Sequence, residues 1–309
     1  MIDGVRLEAA VAFPDQVAAR LERARTLSAG DDSLSVVGYV GTLRASLRGD
    51  RLWLRGSLPE FVGSESVLGC AAVESTRRRI ETHLGEDMGD ARVIGLEITA
   101  DLVLPRPCYM YLPLLRRLSR HSQRVTYEGT GVAFISRSRS LTWYDKGTER
   151  IKRRRQAPAS HVLRVEVKLA RRVQRQLKTS GPVTLAQLHD PEFHRFLVGW
   201  WAKQVASVER VRAPQSLPAT GDVKRWLELA GLHAIGYDTV EAVIRDQQDA
   251  GILKRSTASD RRDWLRKLAA DPALTVEDER VAELDAAIRE ATERALGLPQ
   301  PRRQLAVES

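Results

Sequence analysis

Between Ser138 and Arg172 the chain reads SRSLTWYDKGTERIKRRR and, after a short loop, HVLRVEVKLARR, which gathers a tyrosine, a lysine, glutamates and a run of positive charge. A tyrosine can attack a phosphodiester and keep the cut end on its own oxygen, conserving the bond for later rejoining. Tyr144 is the candidate nucleophile. A phenol with an ordinary pKa of about 10 keeps its proton at neutral pH. The chemistry therefore needs a cation to favour the phenolate and a means of balancing charge on the phosphate. Lys146, two residues on, is the candidate for the first task. Glu97 and Glu166 are candidates for the second, because two carboxylates with water and substrate oxygens suffice to hold Mg²⁺ or Mn²⁺, a Lewis acid at phosphate.

Strand alternation sorts these residues onto faces. In IGLEITADL, Ile94, Leu96 and Ile98 face one way and Glu97, Thr99 and Asp101 the other. In SLTWYDK, Leu141 and Trp143 take the apolar side, leaving Thr142, Tyr144 and Lys146 opposite. In LRVEVKL, Arg164, Glu166 and Lys168 form the polar side. Three such faces line one cleft if the strands are neighbours. Each residue also has a plainer reading: a strand-end tyrosine packs against its neighbours, and Glu166 between Arg164 and Lys168 serves as a cross-strand ion-pair partner. Glu97 resists that treatment, since an unpaired carboxylate in an apolar strand is costly.

The chain has 309 residues, 43% hydrophobic and 29% charged, enough for one large domain or two modest ones. An excess of 49 Lys and Arg over 40 Asp and Glu gives a net charge of +9, which favours a polyanionic partner. No apolar run approaches the roughly 18 residues of a spanning helix, so nucleic acid is preferred to membrane. Cys70 and Cys108 lack metal-binding spacing and read as buried thiols in a reducing compartment. With no leader-like N-terminal segment, the expected location is cytoplasmic.

The expected fold is α/β of the α+β kind: a curved, mostly antiparallel sheet with helices on one side and a helical C-terminal region. Strands are expected in a hairpin from Gly38 to Leu58, turning at Gly49-Asp50, and at Val93–Leu104, Arg124–Tyr127, Gly131–Ser136, Ser140–Lys146 and Val162–Leu169. Helices are expected at Glu65–Leu84 and Tyr109–Leu118, and repeatedly from Leu185 onward. The segments LRASLRGDRLWLRGS and GVAFISRSRSLTWYDKG share a strand, a basic turn and a Trp-bearing strand, which suggests a duplicated strand-strand-helix unit. The expected division is a catalytic domain over 1–180, a basic helical region over 181–298 with a linker at 213–221 inside it, and a tail over 299–309.

Tyr144-Asp145-Lys146 followed by Glu149, with LRVEVKL downstream, resembles the nicking-tyrosine signature of rolling-circle replication initiators. The resemblance is to the phage and plasmid replication proteins of the filamentous-phage gene II and gene X type, related to the Rep_trans initiators. It spans about residues 43–172 and includes Leu54–Pro59, similar to an early LRGSLP-like segment. Glu97 stands where that family has Asp, and Gly95 where it has Arg. No His-hydrophobic-His pair is present, so a two-histidine metal site is not expected.

The resemblance implies a metal-dependent nickase that opens one strand of origin DNA, single-stranded or extruded as a hairpin. Such an enzyme stays joined to the 5′ phosphate and leaves a 3′ hydroxyl as primer. It implies Tyr144 as nucleophile, Glu97 and Glu166 as ligands of Mg²⁺ or Mn²⁺, and Lys146, Glu149 and Arg164 in support. A host helicase and polymerase are implied partners, as is a homodimer. Arg150, Lys152, Arg153, Arg154 and Arg155 are the expected phosphate contacts, making affinity fall with salt. Two rivals stand beside this: a DNA-binding replication regulator that does not cut, and a tyrosine recombinase, whose activity would survive chelation of metal.

Overall fold

The computed structural model describes residues 1–29, 33–119, 123–210, 223–270 and 279–298. Ten strands form one sheet: β1 (Ile2–Ala10), β2 (Glu22–Ala29), β3 (Ser33–Val40), β4 (Leu43–Arg48), β5 (Arg51–Ser57), β6 (Arg92–Leu104), β8 (Gln123–Tyr127), β9 (Gly131–Ile135), β10 (Arg139–Asp145) and β11 (His161–Leu169). Their order is β2-β3-β4-β5-β1-β6-β11-β10-β9-β8, and every pairing is antiparallel. A two-stranded ribbon joins β7 (Leu115–Leu118) to β12 (Val208–Arg210).

The order is its own mirror in sequence. Each half begins with a central strand, β1 or β6, jumps to an edge, and returns through three further strands to the centre. The duplicated unit is therefore five strands. It equates β4 and β5 with β10 and β11, so the two Trp-bearing strands expected to correspond do not: Trp53 lies on β5 and Trp143 on β10. Similarity of two short hairpins missed the register by one strand because any exposed basic turn between alternating strands looks alike.

Apolar residues at alternate positions bury one face of the sheet. Leu7 on β1, Leu96 and Ile98 on β6, Val165 and Val167 on β11 and Trp143 on β10 are all at most 1% exposed, and a fully buried side chain of this size contributes about 2–3 kcal/mol. Against this face lie α1 (Pro14–Arg20), α2 (Leu58–Val62) and α3 (Cys70–Leu84), with Val17, Leu58 and Ile80 in the core. Gly85 ends α3 with φ +70°, a left-handed cap that disfavours a side chain. The helix begins at Cys70, after Gly69, rather than at Glu65. A second departure is at Tyr109–Leu118, where two single 3-10 turns and β7 stand in place of the expected helix. Pro113 within that segment removes a helical donor, and Tyr111 and Leu115 are both fully buried.

The short α4 (Lys146–Lys152) follows β10, and α5 (Val173–Leu177) and α6 (Leu185–Leu188) follow β11. The later helices divide between two cores. Helix α7 (Pro191–Ala206), capped by Asp190, and α11 (Glu279–Ala295) pack into the main core through Leu197, Trp201, Leu284 and Ile288. Helices α8 (Val223–Ile235), α9 (Tyr237–Asp249) and α10 (Arg255–Ala269) share a separate cluster of Leu229, Ile244, Leu265 and Leu268. The expected linker at 213–221 and tail at 299–309 lie outside the described residues. Both cysteines are free; Cys108 is buried, whereas Cys70 is only partly so. No helix among the described residues is long and apolar enough to cross a membrane.

Candidate active site

The polar face of the sheet carries the site, and its centre is a single cross-strand row. Asp101 on β6 faces Arg164 on β11, Arg164 faces Tyr144 on β10, and Tyr144 faces Gly131 on β9. Gly131 is required there: a Cβ would come 2.8 Å from the Trp143 carbonyl and 3.2 Å from Cβ of Tyr144.

Arg164 is 5% exposed, yet it is fully partnered. Its Nε and Nη2 donate to the two oxygens of Asp101 at 2.5 and 2.8 Å, and Nη1 donates to Asp3 Oδ2 at 3.3 Å. Asp3 in turn accepts from the Ser57 hydroxyl at 2.8 Å. Burial works against the charge of Arg164, but the hydrogen bonds and charge of Asp101 outweigh it, so the guanidinium is held protonated more firmly than usual. Burial likewise pushes the Tyr144 phenol above its ordinary value, with Arg164 opposing and Glu166 and Glu149 adding to the shift. The phenol therefore keeps its proton until something takes it.

Glu166 sits on the same face as Tyr144, one diagonal step away, since its direct partner on β10 is Thr142. Burial, and next the charge of Glu97, raise its carboxyl to about 7, with Asp3 adding to the effect. The carboxylate that finds a cross-strand ion pair is Glu97, which faces Lys168 and accepts from its ammonium. A side chain at position 4 would collide with the Glu97 carboxylate, so Gly4 on β1 is what gives that carboxylate room.

Glu97 and Glu166 suit a hard divalent ion. The carboxyl of Glu166 has neither a hydrogen bond nor an ion pair to a described residue, and Thr99 Oγ1, buried on the residue directly opposite, has no partner either. Lys168 is 46% exposed, and an ion pair so open to solvent holds Glu97 only weakly. Among the described residues no group of three or more His, Cys, Asp and Glu is arranged to hold a metal, so water and substrate would supply the remaining ligands.

The raised value has a measurable consequence. The folded protein binds the Glu166 proton more tightly than the unfolded chain, where glutamate titrates near about 4.3. The stability this gives is complete below that value and is lost as pH rises through about 7. Between pH 5 and 8 the wild type is expected to lose roughly 3 kcal/mol more stability than Glu166→Gln, as measured by urea unfolding at each pH. At pH 8, Mn²⁺ should raise the unfolding midpoint of the wild type and leave that of the variant nearly unmoved. Equal pH profiles would show that Glu166 is not the buried acid described.

Lys146 is not on the strand. β10 ends at Asp145, whose carboxylate caps α4 by accepting from the Gly147 and Thr148 amides at 2.8 and 3.3 Å, and Lys146 opens the helix. It still lines the cleft, but its partner is Glu149 at 3.2 Å, and burial followed by Arg164 lowers its pKa. The cation that bears on Tyr144 is Arg164. The basic run is only partly free: Arg150 pairs with Glu65 at 2.8 Å, Arg153 with Glu149 at 2.5 Å and Arg155 with Glu60 at 3.8 Å. Arg153 and Arg155 line the cleft of about 210 Å³ that holds Tyr144, Glu97, Arg164 and Glu166. Lys152 borders an adjoining cavity, also bounded by Tyr144, and Arg154 is exposed with φ +56°.

Asp101 and Asp3 escaped the sequence reading as site residues. Alternation along β6 puts Asp101 on the polar face, but nothing local marks it as the partner of Arg164. Asp3 lies on β1, which the alternation of Val5, Leu7 and Ala9 with Arg6 and Glu8 marks as a strand.

No protein-family model matches the chain, and no curated protein matches it. Among solved structures it is similar to a rolling circle replication initiator protein from Geobacillus stearothermophilus, at 12% identity and a TM-score of 0.37, covering 76% of this chain and 96% of that one. An overlap this slight leaves function to be argued from the site.

Proposed function

We propose that the chain is a replication initiator that nicks one DNA strand by attack of Tyr144 on a phosphodiester. The observation that carries this reading is the row Asp101-Arg164-Tyr144 with Glu166 beside it: a protonated nucleophile, a fixed cation and an acid that ionises near neutrality, all on one open face. The phenolic oxygen bonds to phosphorus as the bond from phosphorus to the 3′ oxygen breaks. The phenolic proton passes to Glu166, whose value near 7 suits a general base at neutral pH. Arg164 stabilises the phenolate as it forms and needs no rearrangement, because Asp101 and Asp3 already hold it. Arg153 and Arg155 receive the flanking phosphate charge at the cleft wall. The leaving 3′ oxygen takes a proton from water and ends as a hydroxyl, the primer for a polymerase. Glu97 and Glu166 would hold a divalent ion, which would supply Lewis-acid polarisation of the scissile phosphate. A bound ion would pull the Glu166 carboxyl below its metal-free value and so make it a weaker base toward the phenolic proton.

The test is the covalent product. Incubation with a pool of random-sequence single-stranded oligonucleotides and Mn²⁺ should give a denaturant-resistant adduct, and peptide mapping by mass spectrometry should place a 5′-phosphoryl nucleotide on Tyr144. An adduct on another residue would refute the assignment. Absence of any adduct, with DNA still bound, would favour the non-cutting regulator.

A further inference from the structure

On the same face, across the N-terminal half of the sheet, three arginines stand directly opposed on adjacent strands. Arg44 on β4 faces Arg55 on β5, and Arg55 faces Arg6 on β1. All three are exposed. Arg44 and Arg55 have no hydrogen bond or ion pair to a described residue, and Arg6 makes one bond, to the Ala170 carbonyl at 3.2 Å. Directly opposed residues have Cα atoms about 4.5–5.5 Å apart, and like charges so placed destabilise a sheet. Elsewhere on this face opposite charges meet, as in Lys168 with Glu97 and Arg51 with Glu8. A ladder of unrelieved positive charge is useful where a polyanion lies along it.

The ladder is joined to the cleft. Arg6 and Arg55 border a cavity of about 370 Å³ whose wall includes Glu97 and Lys168, and Glu97 also lines the cleft around Tyr144. Gly95 lies on its floor, where a Cβ would come 3.0 Å from the Arg6 side chain, and so keeps the surface low. At the far end of the row Tyr39 on β3 faces Arg44 and is 40% exposed, an aromatic ring open to stacking. A basic track with an aromatic at its end fits a single strand, whose phosphates and splayed bases both need partners. We propose that the arginine ladder carries the single strand flanking the cut, leading it from the cleft across β1, β5 and β4. This rests on reading the cleft as the cutting site.

The experiment measures binding apart from cleavage. A fluorescein-labelled single-stranded oligonucleotide of mixed sequence is titrated with the full chain in EDTA over a range of KCl, by anisotropy. Loss of two phosphate contacts in Arg44→Ala/Arg55→Ala should flatten the slope of log affinity against log salt by about 1.4 and weaken binding about tenfold at low salt. The Arg44→Lys/Arg55→Lys variant should keep the wild-type slope, which a merely disturbed sheet would not. An unchanged slope in the alanine variant, or an equal loss on duplex DNA of the same sequence, overturns the proposal. A wild type that forms no adduct but shows these slopes would overturn the cutting reaction and leave the ladder standing.

Discussion

Tyr144→Phe is expected to bind single-stranded DNA as the wild type does and to form no adduct, with strand cleavage reduced about 10⁴-fold or more. The substitution keeps the ring that packs between β9 and β11 and removes only the oxygen. Arg164 remains tied to Asp101 at 2.5 and 2.8 Å, so no charge is stranded by the change. Stability should change by about 1 kcal/mol, the net worth of one hydrogen bond, because the ring stays in place and Arg164 keeps its bonds to Asp101 and Asp3. Cleavage of an oligonucleotide in Mn²⁺, resolved on a denaturing gel, reads the activity, and urea unfolding reads the stability. Cleavage undiminished in the variant would mean that water or another side chain attacks, and the mechanism would fall.

Arg164→Met should be costly in two separable ways. Removing the guanidinium leaves the part-buried carboxylates of Asp101 and Asp3 without their shared partner, and the cost should fall at or below the roughly 3–5 kcal/mol of breaking a fully buried pair from one side, because Asp101 is 33% exposed. It also removes the charge that favours the Tyr144 phenolate, a loss of about 10²–10³ in rate if it resembles deletion of a preorganised donor. Adding Asp101→Asn tells the two apart. The double variant should regain much of the stability, as measured by urea unfolding, because one of the two carboxylates left without a partner is neutralised. Cleavage should stay at the level of the single variant. Recovery of both together would make Arg164 a purely structural residue.

The site was legible where one strand carries its own evidence. Glu97, Tyr144, Arg164 and Glu166 fall on polar faces by alternation alone, and β6, β10 and β11 pair as neighbours so that those faces meet. Lys146 was misplaced because alternation does not announce its end: Asp145 turns the chain into α4 through a cap that only the folded backbone displays. Tyr109–Leu118 was misread for a related reason, since an apolar segment broken by Pro113 reads equally as helix or as turns and a short strand. The charges of 150–155 could be counted, but their pairing with Glu60, Glu65 and Glu149 depends on segments brought together only by folding.

By itself the sequence determined which residues share a strand face, that the sheet is antiparallel with helices beside it, and that positive charge is in excess. Those properties are local, set by a period of two along each strand and by composition. The tertiary structure alone decided that Arg164 rather than Lys146 addresses Tyr144, that Asp3 from β1 completes the network, and that Arg44, Arg55 and Arg6 form one row. The pairings that bring Arg6 to Arg55 and Asp101 to Arg164 join strands far apart in the chain. A slip of one residue would send every side chain to the opposite face, and register is fixed by the packing of the whole core.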